Sequence, residues 1–222
     1  MKKFITQKQN NKFFLEKIII SLASFLFFFL NCNTSFAILD NKKLSLFKED
    51  LLKVENYLNN IKNLSADFTQ EVDKNRAEGK FYLSRNEKSS GKMRIEYIDK
   101  PKILLIVNGP ILSYQDLELE EVSHISTNTT PASLLTRPNI SFFAKDVEII
   151  DIKKDKENIK ISLVKKNRKE AGEFSIVFKN DPLTFEKMEV KNDLDQVISV
   201  KLSNIKFVEN LPNNLFIIPN NN

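Results

Sequence analysis

The stretch that decides the fold is GKFYLSRNEKSSGKMRIEY, residues 79–97, which is typical of two short strands joined by a turn. Side chains alternate between the two faces of a strand, so Phe81, Leu83 and Arg85 share one face of the first strand. The second strand presents an apolar face made of Met93, Ile95 and Tyr97. The hairpin therefore offers an apolar surface with one arginine at its rim, which is either part of a core or the wall of a cavity.

The charge of the chain does not indicate a nucleic-acid partner. The net charge is +5 over 222 residues, a length sufficient for one domain with a substantial core. Five lysines and one glutamate within residues 1–37 account for +4 of this charge, which leaves +1 for the rest. We find no basic stripe interleaved with aromatic side chains, so nucleic-acid binding is not expected.

The first 37 residues resemble a secretory signal peptide. A basic start, Met1–Lys17, precedes an apolar run of thirteen residues, Ile18–Leu30, and the segment ends in Ser35-Phe36-Ala37. The small residues Ser35 and Ala37, at the −3 and −1 positions, predict cleavage after Ala37 and export of the chain. An uncleaved anchor is the alternative, but thirteen helical residues reach only about 20 Å, whereas a bilayer core needs about 30 Å.

Cys32 raises a third possibility, a lipoprotein cleaved just before the cysteine. Such a signal requires small residues before the cysteine, and Phe29, Leu30 and Asn31 stand there instead. Cleavage after Ala37 would leave a mature chain without cysteine, which excludes disulfides and thiolate metal sites.

A helix is predicted over Leu44–Leu64, either packed on a sheet or forming one wall of a ligand cavity. Its apolar stripe recurs at spacings of four and three. The stripe consists of Phe47, Leu51, Val54, Leu58 and Ile61. The solvent-facing side is predicted to carry Lys48, Glu49, Asp50, Lys53 and Glu55.

Beyond the helix the apolar period changes to two, which predicts about ten or eleven strands in an antiparallel meander. The run KILLIV, residues 102–107, is apolar on both faces and should be covered on both sides or face a cavity on one. Thr130-Pro131 opens a short helix within the strand region. We find no repeat and no linker, so residues 38–222 are predicted to form one α+β domain with a curved antiparallel sheet.

Catalytic machinery is not visible in the sequence. His124 is the single histidine and lies on a predicted strand, where a lone histidine is more often a surface residue than a ligand. The chain has four glycines and no glycine-rich phosphate loop. We therefore expect a binding protein rather than an enzyme, without a metal or other cofactor, and with an apolar ligand or a protein as its partner.

Several segments together resemble the periplasmic outer-membrane lipoprotein carrier family, the LolA type. They are residues 65–70 (SADFTQ), 79–85 (GKFYLSR), 91–97 (GKMRIEY), Asn108-Gly109 with Tyr114, 131–135 (PASLL) and 215–219 (LFIIP). The resemblance implies an incomplete, half-open β-barrel capped by a helical lid over an apolar cavity. It also implies a monomeric shuttle that takes acylated lipoproteins from an inner-membrane ABC transporter to an outer-membrane acceptor lipoprotein.

The resemblance assigns roles to particular residues. The family's lid-latching arginine matches Arg85, although an arginine that only extends to water remains an alternative. The bulky lid contact early in the next strand, often aromatic in relatives, is Met93 here, which suggests a softer contact. The cavity wall is expected from Phe68, Phe81, Leu83, Met93, Ile95 and Tyr97. The lid is expected from Leu51, Leu58, Pro131, Leu134, Leu135 and Phe143.

Two other functions share this predicted shape. One is a periplasmic lipid- or lipoprotein-sensing regulatory module, although such regulators usually carry a second domain. The other is the lipid-anchored outer-membrane acceptor, which the residues before Cys32 disfavour.

Overall fold

A computed structural model describes residues 40–86, 89–99, 101–127, 132–167, 172–191 and 195–219. Its helices are α1 (Asn41–Leu46), α2 (Lys48–Asn60) and α3 (Ala132–Leu135), and a 3-10 helix spans Asn213–Phe216. The strands of the first half are β1 (Asn63–Val72), β2 (Asn75–Ser84), β3 (Lys92–Tyr97), β4 (Ile103–Asn108), β5 (Ile111–Asp116) and β6 (Glu121–Ser126). Those of the second half are β7 (Val147–Lys154), β8 (Asn158–Lys165), β9 (Glu173–Lys179), β10 (Thr184–Lys191) and β11 (Val197–Phe207).

All eleven strands described form one antiparallel sheet, in the order β6-β5-β4-β3-β2-β1-β11-β10-β9-β8-β7. Each half of the chain is a meander, and the pairing of β1 with β11 joins the two halves. The sheet ends at β6 on one side and β7 on the other, so within the described residues it is not closed into a barrel. The predicted α+β class and the open sheet of about 10–11 strands are confirmed.

The N-terminal helix is shorter than predicted. The expected helix over Leu44–Leu64 breaks at Phe47 and ends at Asn60, and Leu64 lies in β1 opposite Leu83. Leu64 continues the apolar spacing of the helix, but its side chain is also in phase with the alternation of β1. The sheet provides it with partners on both neighbouring strands, which decides its conformation.

Helix α2 packs against one face of the sheet, here called the inner face. Leu51, Val54 and Leu58 are buried there, and Tyr57 contacts Phe178 edge-to-face at 5.5 Å between ring centroids. Glu49 and Asp50 in the first turn are favourably placed at the positive end of the helix dipole. The main apolar core therefore lies between α2 and the inner face.

The outer face of β3 and β4 is covered by the C-terminal segment. Leu104 and Ile106 form a second apolar cluster with Phe216, whereas alternate residues of β4 lie in the main core. Arg94 donates from Nη1 to the carbonyl of Leu215 at 3.0 Å and Asn108 donates from Nδ2 to that of Phe216 at 3.3 Å. KILLIV is thus covered on both sides in the closed structure, the first of the two arrangements that its apolar composition predicted.

The connection from β6 to β7 returns over the main core. It contains α3, whose expected opening residues Thr130 and Pro131 lie outside the described residues. We call residues 132–146 the strap. No described helix combines the length and the apolar character needed to cross a membrane.

Candidate functional site

The predicted wall residues lie together on the inner face. In the β2–β3 pairing Phe81 is opposite Ile95, Leu83 is opposite Met93, and Gly79 is opposite Tyr97. Five of the six predicted wall residues are buried in the main cluster, and Ile95 is partly buried against it. The hairpin and the neighbouring β1, where Phe68 is opposite Gly79, therefore place them on one continuous apolar surface, because the register aligns alternate side chains.

Tight packing around Gly79 organises one end of this surface. The rings of Phe68 and Tyr97 meet edge-to-face with centroids 5.1 Å apart, and Tyr97 donates its hydroxyl hydrogen to Gln70 Oε1 at 2.6 Å. Burial, and secondarily the neighbouring Tyr114, raise the pKa of Tyr97, so the phenol stays neutral. A Cβ on Gly79 would lie 2.1 Å from the carbonyl oxygen of Glu96 and 2.5 Å from the Phe68 ring.

The structure places most of the predicted lid residues against this surface. Leu51 and Leu58 of α2 and Leu134 and Leu135 of the strap belong to the same buried cluster as the wall. Phe143 does not, since it is 46% exposed. Pro131 lies outside the described residues.

Two apolar residues of the strap were missed by the sequence reasoning. Ile140 and Phe142 are 5% and 3% exposed and belong to the main cluster. Phe142 and Phe143 are adjacent and follow no regular apolar period, so the sequence does not distinguish the buried ring from the exposed one. The strap therefore contacts the core with Leu134, Leu135, Ile140 and Phe142.

Arg85 follows the end of β2 and joins α2 to the strap. From Nη1 it donates to the carbonyl of Leu58 at 2.6 Å, and from Nη2 and Nε to that of Arg137 at 2.7 and 3.1 Å. Longer contacts from Nη2 reach Asn59 Oδ1 at 3.2 Å and the carbonyl of Pro138 at 3.4 Å. The planar guanidinium suits this task because it offers five N–H donors in a fixed fork.

The charge of Arg85 is buried without an acidic partner among the described residues. The side chain is 6% exposed, and burial lowers the pKa of the guanidinium from its usual value. An arginine this basic stays charged, so its charge is stabilised by neutral carbonyl and amide oxygens. The alternative of an arginine that merely extends to water does not describe this arrangement.

Gly91 lets the hairpin approach both Arg85 and the strap. Its N–H donates to the carbonyl of Thr136 at 2.6 Å. A Cβ at this position would lie 2.9 Å from Arg85 Cγ and 3.2 Å from the Thr136 carbonyl oxygen. A side chain here would therefore press on the arginine that holds the strap.

The predicted exposure of Glu55 is wrong. It was expected on the solvent-facing side of the helix, but it is 8% exposed and lies beside the strap. Sequence periodicity places it next to the apolar stripe, and only the strap, which covers this flank of α2, makes it a buried residue.

An open antiparallel sheet with a helix and a strap closing over an apolar inner face defines the class of half-barrel proteins. Within that class, a family model described as outer membrane lipoprotein carrier protein LolA matches residues 59–219. The chain belongs to this family. The match includes the hairpin, Arg85 and the strap, and family members are binding or carrier proteins.

Solved structures with a similar fold are distant in sequence. A LolA superfamily protein, NE2245 from Nitrosomonas europaea, is 10% identical with a TM-score of 0.42, over 76% of this chain and 97% of its own. The Pseudomonas aeruginosa MucA/MucB complex structure gives 8% identity and a TM-score of 0.42, over 77% and 60%. Lipoprotein LppX from Mycobacterium tuberculosis gives 10% and 0.40, over 78% and 100%. None of the curated proteins compared matches the chain.

Proposed function

We propose that this protein is a carrier that binds the acyl chains of lipoproteins between the inner face of the sheet and the strap. It would receive its cargo from an inner-membrane ABC transporter and deliver it to an acceptor lipoprotein at the outer membrane. One observation supports this most strongly. Wall and strap residues form one apolar cluster, closed by a buried arginine whose acceptors within the described residues are all neutral.

Release is the physical difficulty for such a carrier. Burial of an acyl chain stabilises a complex by about 0.8 kcal/mol per methylene, or about 12 kcal/mol for a sixteen-carbon chain fully buried. Affinity of that size would retain the cargo. The closed, empty protein must therefore be stable enough to compete with the loaded one.

In this proposal Arg85 stabilises the closed, empty protein. Its hydrogen bonds to the carbonyls of Arg137 and Pro138 exist when the strap is closed, and opening for cargo breaks them, whereas its bonds to Leu58 and Asn59 hold the guanidinium against α2. If only a fraction of empty molecules is open, the apparent dissociation constant rises by the inverse of that fraction. Arg85 thereby weakens binding enough to permit handover.

Burial of the wall residues also stabilises the closed, empty protein. Phe68, Phe81, Leu83, Met93 and Tyr97 are at most 6% exposed in the closed state. Cargo must replace contacts within the apolar cluster to which these residues, Leu134 and Leu135 belong. The free energy of cargo binding is therefore the difference between the contacts that cargo makes and the contacts that it replaces. In this proposal the protein acts as a monomer and needs no cofactor.

We further propose that residues 1–37 are an export signal and that the carrier acts in the periplasm. The basic start, apolar run and Ser35-Phe36-Ala37 support this. Intact-mass measurement of the secreted protein should give a chain that begins at Ile38 without lipid. A triacylated chain that begins at Cys32 would indicate a membrane-anchored acceptor instead.

The proposed function is tested by asking whether the purified protein removes an acylated lipoprotein from a membrane into solution. Soluble, acylation-dependent transfer is the expected result.

A further inference from the structure

Glu55 and Asn59 of α2 contact the second half of the strap, beyond the residues that Arg85 reaches. They are one helical turn apart, so their side chains lie on the same flank of the helix. Asn59 contacts the backbone of Ile140 twice: its Oδ1 accepts the Ile140 N–H at 2.8 Å, and its Nδ2 donates to the Ile140 carbonyl at 2.9 Å. One side-chain amide thus pairs with the strap much as a neighbouring strand would.

Glu55 holds the next residues of the strap. Its Oε1 accepts the backbone N–H of Phe142 at 2.5 Å and the hydroxyl hydrogen of Ser141 at 3.1 Å. The Glu55 side chain is 8% exposed, and no ion pair of this residue is found in the described part of the chain. A buried carboxylate is costly unless it is hydrogen-bonded, so its position depends on these two donors of the strap.

We propose that Glu55 and Asn59 are positioning residues that fasten the strap at a second place. Arg85 fastens residues 137–138, and the Glu55–Asn59 pair fastens residues 140–142. Ile140 and Phe142, which these bonds hold, close over the inner face that acyl chains would occupy. This inference rests on the proposed function, because it names a second contact that must open before cargo enters.

The two fastenings are in direct contact with each other. Asn59 Oδ1 accepts from both Ile140 N and Arg85 Nη2, the latter at 3.2 Å. Loss of either fastening leaves the other with an incomplete set of partners. The strap should therefore open as one unit between residues 137 and 142, and each fastening should raise the cost of opening.

Polar fastening suits a strap that must open repeatedly. Water can replace every hydrogen bond of Glu55 and Asn59 when the strap leaves, so each bond contributes little net free energy while fixing position strongly. A purely apolar contact at the same place could not be replaced by hydrogen bonds to water. The pair therefore sets the open fraction and the register of the strap together.

Backbone amide exchange in the full chain without cargo tests this inference, with a fluorescent fatty acid as the second readout. Glu55→Ala should speed exchange of the Phe142 and Ile140 amides about tenfold or more, while the amide of Ile161 in β8 stays unchanged. The apparent dissociation constant for the fatty acid should fall by a similar factor. Glu55→Gln, which keeps an acceptor oxygen, should restore most of both properties.

The control is Glu49→Ala, which removes an exposed glutamate from the first turn of the same helix and should change neither readout. Asn59→Ala is the second variant, expected to act in the same direction if Glu55→Ala folds poorly. Unchanged exchange at Phe142 and Ile140 in both variants would overturn the inference, as would faster exchange without tighter fatty-acid binding. If the wild-type protein binds no fatty acid, the proposed function and the gating role fail together, and exchange alone decides whether Glu55 holds the strap.

Discussion

Replacing Arg85 with leucine is expected to leave the fold intact and to trap cargo. The substitution removes the donors to the carbonyls of Arg137 and Pro138, bonds made only while the strap is closed, and the donor to Leu58 that holds the guanidinium against α2. Loss of these charge-assisted bonds should destabilise the closed state by about 2 kcal/mol, which corresponds to a roughly thirtyfold larger open population. The side-chain bonds of Arg85 reach α2 and the strap and no strand of the sheet, so the free energy of unfolding should fall by no more than this amount.

The measurement is a two-step assay of loading and handover. The Arg85→Leu variant should accept lipoprotein at least as well as the wild-type protein and transfer it poorly to the acceptor. Arg76→Leu, on the exposed part of β2 and paired with Glu78, is the matched control and should behave as wild type. Normal handover by Arg85→Leu would show that Arg85 is structural and not a latch.

Replacing Gly79 with alanine is expected to cause the largest loss of stability. The added methyl group would lie 2.1 Å from the backbone oxygen of Glu96 and 2.5 Å from the Phe68 ring. Because β2 and β3 pair at this point, relief requires the strands to separate or the Phe68–Tyr97 contact to break. We expect the free energy of unfolding to fall by about 3 kcal/mol, the upper part of the range for overpacked cores.

Denaturant unfolding of Gly79→Ala and Gly109→Ala separates packing from backbone strain. Gly109 has a φ of 63° and no neighbour within 4 Å of an added Cβ. Its substitution should cost only the strain of the left-handed conformation, about 1 kcal/mol. Equal losses for the two variants would contradict the close packing described around Gly79.

The sheet was predictable because its pattern is local. Alternation gave the strands, and the run KILLIV indicated coverage on both faces, which Phe216 and the inner-face core provide. The apolar wall of the β2–β3 hairpin followed from the same alternation, and the structure pairs Phe81 with Ile95. Strand periodicity determines which face a residue occupies, and the sheet then fixes the neighbours.

The strap was less predictable because its contacts depend on distant parts of the chain. Glu55 looks like an ordinary exposed helix residue until residues 141 and 142 cover it. The Phe142-Phe143 pair has no period to separate the buried ring from the exposed one. The end of α2 at Asn60 was likewise decided by the pairing of Leu64 in β1, a partner that helix periodicity does not reveal.

The contacts of Arg85 were only partly predictable. Its place at the rim of the apolar face could be predicted from the sequence, and the family resemblance suggested a role for it. Its acceptors could not be predicted, since they are backbone carbonyls of residues 27 and 52 positions away. Any residue type can present a carbonyl, so such a partner leaves no mark in the sequence.

The central claim is that the inner face of the sheet accepts acyl chains when the strap opens. The most direct measurement incubates the purified protein with membranes that contain a triacylated lipoprotein and its inner-membrane transporter, and then assays the soluble fraction. We predict a soluble one-to-one complex with the acylated lipoprotein and none with a variant whose acylated cysteine is replaced by serine. Failure to release the acylated form, or equal association with both forms, would contradict the account.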